Sequence, residues 1–535
     1  MILDNVRLYR PFKMDNPESI YHVVIEDGKI TEIQRGRTSI RNNEVYDAKE
    51  KTLMVSFTDS HLHFLRYGLM KIELDLRVVT SWEEMKKEVR KYYPNMEEND
   101  WIVGRGFDDD QFTDIDHYLT ARDLDEIHDD KPMFFLHRDG HECVVNDTVI
   151  DLLKKEKSFK EKVPESFIEK DEQGNWTGRF KDTAVHFIKR HFRGRSKNDA
   201  KEAIQAAISH LVPLGITSVH TDDLNFIESY ETLLQSYQEL EKEGNLPIEV
   251  FLHHYIFNKK ELVKFIDSFE SRSGDGTEKV KVGAIKIFLD GTQRLHTSAM
   301  RIPYKDQPDT KGTTVYTQEE LNEIVRIASE NGMQVAMHAI GDRAAEQAIE
   351  ALEQVEVSVS KLRHRIIHAQ TLGPDLLVKL ERLKPYIETQ PSFLMDEYDK
   401  KAEWVGEDLA PYCDSFGSLA RNHIPFTLSS DAPIGNLNPF VSIFGAVNRT
   451  NLQHKPMGGW MPQEKLSIDE SIEAFTYTPR YLEFQETSKG KLEEGYEANL
   501  LLISMHPRET PEEELYRIKV NEVWVGGEKK FKRKN

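Results

Sequence analysis

The chain has 535 residues, 39% of them hydrophobic, which suits two or three domains or one barrel with additions. Its 92 acidic residues outnumber 71 basic ones, and the net charge of −21 argues against nucleic-acid or acidic-membrane partners. No segment approaches the ~18 unbroken apolar residues of a membrane helix, and the start lacks a signal-peptide pattern. Two cysteines, Cys143 and Cys413, exclude a disulfide framework and a cysteine-based zinc site. We therefore expect a cytoplasmic enzyme with a small-molecule substrate.

Both ends of the chain are predicted to form strands joined by tight turns. Near the start, two apolar runs flank Asp27-Gly28, a two-residue hairpin signal, and Gly526-Gly527 occupies the equivalent place near the end. The middle of the chain instead alternates helices and strands. We predict a composite β-sandwich domain built from residues 1–54 and 485–535. The alternative is a pair of separate terminal hairpins packed on the core.

The middle of the chain repeats short apolar runs that end in polar residues, with helical patterns between several of them. One such pattern, 317–332, begins with a Thr317/Glu320 capping box and ends at Gly332. Eight alternating units predict a distorted (β/α)₈ TIM barrel over 55–75 and 196–484. An open doubly wound sheet has the same alternation, although no glycine-rich phosphate loop follows any strand. The eight strand-like runs are 53–64, 216–223, 248–255, 280–291, 334–342, 364–370, 386–392 and 425–433.

The gap after the first predicted strand is about 150 residues, far longer than the roughly thirty of an average barrel unit. We therefore predict an inserted α+β subdomain at 76–195, with a helix at 81–93 and strands at 101–107 and 131–147. An insertion at this point leaves the barrel from the end where active sites lie. It should cap the mouth and supply part of the substrate pocket. Its apolar surface is expected from Phe107, Phe134 and Phe135.

Histidine and aspartate side chains mark the ends of four predicted strands. His61 and His63 are two apart on the first, so both imidazoles point to one face. His338, His368 and Asp431 end the fifth, sixth and eighth strands. Imidazole is the commonest nitrogen ligand of zinc-type metals, and a carboxylate completes such sites. These five residues therefore predict a metal site at the barrel mouth.

Lys286 lies between Ile285 and Ile287 in the fourth predicted strand. A bare ammonium inside a barrel is costly unless it is paired. Carbamylation would turn the amine into an anionic oxygen ligand able to bridge two cations. The alternative is an ammonium paired to Asp290 or Asp431.

Further polar residues near predicted strand ends are candidates for substrate contact. Arg138 and His141 follow an apolar run of the insertion, and His220 and Asp222 end the second barrel strand. Phe107 is a candidate for shaping the pocket. A purely structural role is the competing interpretation for each of them.

Five ordered motifs, DSHLHF, VKVGAIKIFLDG, VAMHAIGD, HRIIHAQ and TLSSDAP, resemble those of the amidohydrolase superfamily. GRGFDDDQF, FFLHRDGHECVVN and KIFLDGT resemble the branch of YtcJ-like proteins and N-substituted formamide deformylase, and the similarity covers nearly the whole chain. The resemblance implies a distorted barrel, a divalent metal and hydrolysis of C–N or related bonds. It matches the metal-bound histidines, a bridging lysine and the catalytic aspartate to His61, His63, His338, His368, Lys286 and Asp431.

The chain departs from the family pattern at three places. Val55-Ser56 replaces the usual Pro-Gly, and DGTQRLHTSAM replaces the branch's more usual DGSxGSRTA. The second departure lies near the mouth, so the substrate is expected to differ from those of characterised relatives. Asn499 replaces a late aspartate at a structural position.

These features predict a hydrolase that uses one or two divalent ions, with Zn²⁺ expected, to cleave a C–N bond of a small amide-like substrate. Metal-activated water would attack the carbonyl, with Asp431 as general base and then acid. A mononuclear aminohydrolase (deaminase) and a catalytically idle barrel acting as a binding protein are the alternatives. Retention of every ligand argues against the idle barrel. The sequence leaves a homodimer open.

Overall fold

A computed structural model describes the protein over residues 1–40, 44–72, 74–92, 101–189, 196–223, 227 and 229–534. The strands, in chain order, are β1 (Ile2–Leu8), β2 (Tyr21–Glu26), β3 (Lys29–Arg35), β4 (Val45–Asp47), β5 (Thr52–Val55), β6 (Phe57–Leu62), β7 (Leu74–Asp75), β8 (Ile102–Phe107), β9 (Met133–His137), β10 (Glu142–Val145), β11 (Ile168–Lys170), β12 (Trp176–Lys181), β13 (Ile216–Thr221), β14 (Glu249–Tyr255), β15 (Val280–Phe288), β16 (Val335–Ala339), β17 (Arg365–His368), β18 (Tyr386–Thr389), β19 (Phe426–Leu428), β20 (Leu500–Ile503), β21 (Val520–Val525) and β22 (Glu528–Lys532).

The α-helices, in the same order, are α1 (Phe64–Ile72), α2 (Trp82–Tyr92), α3 (Ala121–Asp125), α4 (Asp147–Lys155), α5 (Lys157–Lys162), α6 (Thr183–Lys189), α7 (Lys197–Leu211), α8 (Tyr230–Lys242), α9 (Lys259–Ser268), α10 (Gln318–Glu330), α11 (Asp342–Glu353), α12 (Glu356–Leu362), α13 (Pro374–Leu383), α14 (Pro391–Glu397), α15 (Lys401–Val405), α16 (Phe416–Arg421), α17 (Pro439–Asn448) and α18 (Ile468–Leu482). Among the described residues, no helix is both long and apolar enough to cross a membrane.

Strands from both ends of the chain share one eight-stranded sheet. Its order is β22-β21-β20-β5-β1-β2-β3, with β4 paired to β1. The two ends meet where β20 runs antiparallel to β5. Both predicted hairpins are confirmed, since β2 pairs with β3 around Asp27-Gly28 and β21 pairs with β22 around Gly526-Gly527. The alternative of separate terminal hairpins is therefore wrong, whereas the two-layered sandwich stays a prediction.

All eight predicted barrel strands are present in a parallel sheet of order β19-β18-β17-β16-β15-β14-β13-β6. Its two outer strands lie close together, as shown by the hydrogen bond that the Ser60 hydroxyl on β6 donates to the Thr427 hydroxyl on β19 over 2.7 Å. The sheet is thus a nearly closed barrel, and the alternation does not belong to an open doubly wound sheet. Helices begin where capping predicts, as in α10, where the Thr317 hydroxyl and the Glu320 carboxylate cap each other's backbone.

The first predicted strand divides into two strands with different neighbours. Its first half is β5 in the terminal sheet, and its second half is β6 in the barrel. The break falls at Ser56, whose backbone N–H donates to Asn499 and whose hydroxyl lies 2.5 Å from that of Thr217. This junction ties the terminal sheet to the barrel.

The insertion builds its own six-stranded sheet, of order β11-β12-β10-β9-β8-β7. The predicted strand over 131–147 is a β9–β10 hairpin, because Gly140 adopts φ +79° and reverses the chain. Separate apolar clusters cover this sheet, one of them containing Phe134 and another containing Phe107 and Phe135. The boundaries drawn for the domains stay predictions, and residue 195 lies outside the described residues.

Candidate metal centre

Four imidazoles and one carboxylate meet at the C-terminal end of the barrel. His61 lies in β6 and His63 one residue beyond it, while His338 and His368 lie in β16 and β17. The ring centroids of His61 lie 5.6 Å from those of both His63 and His368, and His338 lies 4.6 Å from His368. Asp431, after β19, places Oδ1 3.5 Å from His61 Nε2 and 3.3 Å from His63 Nε2. The strand ends therefore bring all five predicted residues together.

Backbone contacts hold β6 against the loop after β19 at this point. The Asp431 N–H donates to the carbonyl of His61, and the His63 N–H donates to that of Ala432, both over 2.8 Å. His368 and Asp431 adopt φ values of +71° and +52°, a region that costs a non-glycine residue energy. Such strain at residues of one cluster is typical of functional sites.

Three of the imidazoles have an oxygen acceptor beside Nδ1. His63 Nδ1 lies 2.9 Å from Asp222 Oδ1, and His338 Nδ1 lies 3.2 Å from Asp290 Oδ1. His368 Nδ1 lies 2.6 Å from the side-chain oxygen of Gln390. The hydrogen bond with Gln390 fixes the His368 ring and leaves its Nε2 for a metal, and the carboxylates beside Nδ1 of His63 and His338 favour the same orientation, as around metal-bound histidines.

Lys286 is fully buried in β15, and its Nζ lies 3.7 Å from Asp222 Oδ2 and 4.8 Å from the centre of the Phe288 ring. Its acidic neighbour is therefore Asp222, and the predicted pairing with Asp290 or Asp431 is wrong. The Asp290 carboxylate instead accepts backbone N–H groups of 299, 340 and 341.

Burial and neighbouring charges divide the titratable groups of the centre into two sets. Burial holds the pKa of His61 and His338 well below the ordinary value and lowers the pKa of His368 to about 4. Burial also opposes protonation of His63, but Asp222 and Asp431 outweigh it and raise the His63 pKa to about 9. Burial would raise the pKa of Asp431, yet the hydrogen bond with His63 and its charge bring it below the ordinary value.

Several buried polar atoms of the centre have no hydrogen-bond partner within the described residues. They are His61 Nδ1, both ring nitrogens of His338, Lys286 Nζ, Asp222 Oδ1 and Asp431 Oδ1. Unpaired buried polar atoms are costly and rare, so a concentration of them indicates a site for a bound ligand. In addition, one ligand atom each of His61, His63 and Asp431 lies within 4.8 Å of the others, a spacing that suits one ion. The donor set therefore fits a divalent metal of the zinc type.

A cavity of about 430 Å³ lies beside the centre, between the barrel and the insertion. The insertion contributes Arg138 and His141 to its wall, and the barrel contributes Phe393, whose ring stacks 6.0 Å from that of His368. Arg138 lies at the exposed rim, with Nη1 2.9 Å from Asp108 Oδ2. His141 is deeper, with its ring 5.9 Å from that of His338. The insertion thus forms part of this wall.

Three of the five residues predicted to contact substrate, His220, Phe107 and Asp222, do not line this cavity. His220 is fully buried in the barrel, where its ring forms hydrogen bonds with Glu483 and Arg365. It lies on the same strand face as Asp222 but two residues earlier, and therefore deeper in the barrel. Phe107 packs in the core of the insertion, edge-on to His137. Asp222 reaches the centre, where it contacts His63 and Lys286 and is 4% exposed.

The sequence pattern does not identify two orienting residues, Asp290, which it suggests solely as a lysine partner, and Gln390. Both follow barrel strands, Asp290 two residues after β15 and Gln390 directly after β18. The signal was thus the same as for the histidines, but amides and acids at strand ends are common. Their function depends on which imidazole lies opposite, and that requires the fold.

Comparison with known proteins agrees with this geometry. A family model described as "Amidohydrolase family" matches residues 44–529. The protein YtcJ of Bacillus subtilis (strain 168) is 29% identical over 528 residues, which cover 96% of each chain. An N-substituted formamide deformylase of Arthrobacter pascens is 22% identical over 535 residues, covering 96% of this chain and 95% of its own.

Among solved structures, an uncharacterized metal-dependent hydrolase from Pyrococcus horikoshii OT3 superimposes with a TM-score of 0.75 at 26% identity. The superposition covers 96% of this chain and 98% of the other. The likeness therefore spans the terminal sheet, the barrel and the insertion together.

Proposed function

The chain belongs to the amidohydrolase family, and from this membership we propose that it is a metal-dependent hydrolase acting on a C–N bond of a small N-acyl or N-formyl amide. The observation that carries the proposal is the convergence of four imidazoles and Asp431 at the barrel mouth. Three of the four rings have an oxygen beside Nδ1, and several buried polar atoms of the cluster lack partners. A barrel that bound no metal would not need this concentration of unpaired buried polar atoms.

The metal would be held by His61, His63, His338, His368 and Asp431, with Lys286 as a bridging ligand if two ions bind. When bound, a divalent ion lowers the pKa of water to about 7 and polarises a carbonyl oxygen. Asp431 would take a proton from the attacking water at Oδ1 and return it to the leaving nitrogen, as general base and then acid. Asp222, Asp290 and Gln390 would keep the rings oriented through this cycle.

The cavity beside the centre supports a small substrate. Its charged wall residues include two pairs, Arg138 with Asp108 and Arg294 with Asp139, which leave little free charge at those positions. Ile340, Phe393 and Ile434 add apolar surface. Similarity to an N-substituted formamide deformylase supports the N-formyl class in particular.

Turnover of a panel of N-acyl and N-formyl amines, measured together with metal content, tests the proposal. We expect one to two equivalents of divalent metal in protein purified without chelator, with zinc as the expected ion. The His61→Ala/His63→Ala variant should lose both metal and turnover, whereas exposed His117→Ala should keep both. Unchanged metal content in the double variant would refute the assignment of ligands.

Two ions would require Lys286 as a carbamate, formed when carbon dioxide adds to the amine. Bicarbonate should then speed reconstitution of metal-free protein, and a short carboxylic acid should partly restore activity to Lys286→Ala. A free ammonium at Lys286 in metal-loaded protein would refute the two-ion centre and support a centre with a single ion.

A mononuclear aminohydrolase is the second candidate, and the compact trio His61, His63 and Asp431 favours it. One equivalent of metal, with ammonia released from amino-substituted rings and no cleavage of N-acyl amines, would support a deaminase. Bound metal without turnover on either panel would support a binding protein.

A further inference from the structure

A histidine–carboxylate pair lies at the seam between the insertion and the barrel, beside the proposed metal centre. His141 Nδ1 lies 2.8 Å from Asp182 Oδ1. We propose that Asp182 fixes the proton of the His141 ring on Nδ1, so that a bare Nε2 accepts a hydrogen bond from the amide N–H of the substrate. The protein would then select amides that carry an N–H. This inference rests on the proposed function and specifies its substrate class.

The backbone around His141 is held from several directions. Asp139 Oδ1 accepts the N–H groups of His141 over 2.9 Å and of Glu142 over 3.3 Å. The His141 carbonyl accepts the N–H of Asp182 over 2.7 Å. A Cβ at Gly140 would lie 2.3 Å from side-chain atoms of Arg66 and Ile434, so the turn is in close contact with the barrel. The ring is therefore presented from a fixed support.

Asp182 is fixed in the same way. It is 2% exposed, follows β12 and adopts φ +47°. A Cβ at Gly291 of the barrel would lie 2.1 Å from Asp182 Oδ2, which has no hydrogen-bond partner in the described part of the chain. A carboxylate accepts hydrogen bonds and cannot donate them, so the proton between Asp182 and His141 belongs to Nδ1.

The other side of the His141 ring borders the cavity. The ring lies 5.9 Å from that of His338 and shares the cavity wall with Ile340 and Gln370. Among the described residues, none makes a hydrogen bond to His141 Nε2. A neutral imidazole protonated at Nδ1 is an acceptor at Nε2. Its partner must bring a hydrogen, which an N-monosubstituted amide supplies and the oxygen of an ester does not.

Matched substrate pairs test the selection. Each pair is an N-monosubstituted amide and the ester with the same acyl and alkyl groups, so the shapes agree and the N–H differs. His141→Phe should lower kcat/KM for the amide about ten- to hundredfold, the cost of leaving its N–H unpaired, and that for the ester less than about threefold. Equal losses on both substrates would overturn the proposal.

Asp182 acts as a positioning residue, so replacing it should alter the ratio of kcat/KM for the amide to kcat/KM for the ester. Asp182→Ala frees the tautomer and should shrink the amide preference at least about threefold, with metal content unchanged. Glu172→Ala removes an exposed carboxylate of the same insertion and should leave the ratio at its wild-type value. A uniform loss on amide and ester in Asp182→Ala would assign that residue to packing alone.

Nitrogen-15 NMR of histidine-labelled, metal-loaded protein reads the tautomer without any turnover. The His141 signals are assigned as those missing from His141→Phe. We expect a protonated Nδ1 and a bare Nε2 in the wild type, and proton sharing between both nitrogens in Asp182→Ala. A proton on Nε2 of the wild type would overturn the inference. If no amide is cleaved at all, the proposed function fails and this measurement still decides the tautomer.

Discussion

The barrel contains two buried polar clusters that differ in the distances between their opposite charges. At its lower, N-terminal end, a network of His220, Glu249, Arg365, Arg480 and Glu483 is closely paired. Arg480 lies 2.7 Å from Glu249 and 3.0 Å from Glu483, and His220 lies 2.9 Å from Glu483. At the metal centre, Asp431 lies 3.3 and 3.5 Å from its imidazoles, and Lys286 lies 3.7 Å from Asp222.

This difference separates a structural role from a functional one. Each charged group of the lower network has an opposite charge within hydrogen-bond distance, as buried charges need when they serve the fold. The metal centre keeps several buried atoms without partners, although it lies in the same barrel interior. Unpaired buried atoms also occur in the lower network, at Arg365 Nη2, so incomplete pairing identifies the site only where it coincides with converging imidazoles.

Breaking the lower network should give the largest change in stability. Arg480→Met leaves Glu249 and Glu483 without their shared guanidinium and should lower the free energy of unfolding by about 3–5 kcal/mol. Urea unfolding measures this, and metal content per folded molecule should not change. Arg326→Met, which breaks an exposed pair with Glu330, should cost less than about 0.5 kcal/mol. Equal costs for both variants would contradict the comparison.

Changing an orienting residue of the metal centre should act on metal affinity. Gln390→Ala removes the acceptor beside His368 Nδ1 and should weaken metal binding about ten- to hundredfold. Competition with a chelator measures the affinity. The control is Gln347→Ala, which removes a buried amide bonded to the Tyr316 carbonyl elsewhere in the protein. Similar metal affinities in the two variants would remove Gln390 from the centre.

The smallest effect concerns acid sensitivity at the lower end. Burial lowers the pKa of His364 to about 3, and an unfolded histidine titrates near ~6.5. Between these values the unfolded chain binds a proton that the folded protein does not, so the free energy of unfolding falls as the pH falls. His364→Gln should therefore lose about 1 kcal/mol less stability than wild type between pH 6 and 5. Urea unfolding measures both proteins. If wild type and variant lose the same free energy of unfolding between pH 6 and 5, His364 does not titrate as its burial implies.

The sequence predicted the parts of the centre that depend on spacing along a strand. His61, His63, His338, His368 and Asp431 each end an apolar run, and parallel strands bring such ends together. Depth was less predictable, because His220 and Asp222 share a strand face and differ by two residues. Where the strand ends relative to the cavity decides which of them reaches it.

Contacts between separate segments could not be predicted from spacing along a strand. The turn of the β9–β10 hairpin, which places His141, was read as part of one strand. Asp182 lies 41 residues further along the chain, and its contact with His141 depends on how the insertion folds. Phe107 was predicted to shape the pocket but packs in the core of the insertion. An apolar residue beside a polar motif does not show on which side of the sheet its side chain packs.

The shared terminal sheet sets an order for folding during synthesis. Strand β5 is complete after residue 55, but its partner β20 begins at residue 500. A ribosome that adds ~5–20 residues per second needs about 20–90 s to make the intervening segment. For that time β5 has an unsatisfied hydrogen-bonding edge, a template for pairing with other chains. The nascent protein is therefore exposed to aggregation at β5 until β20 leaves the ribosome.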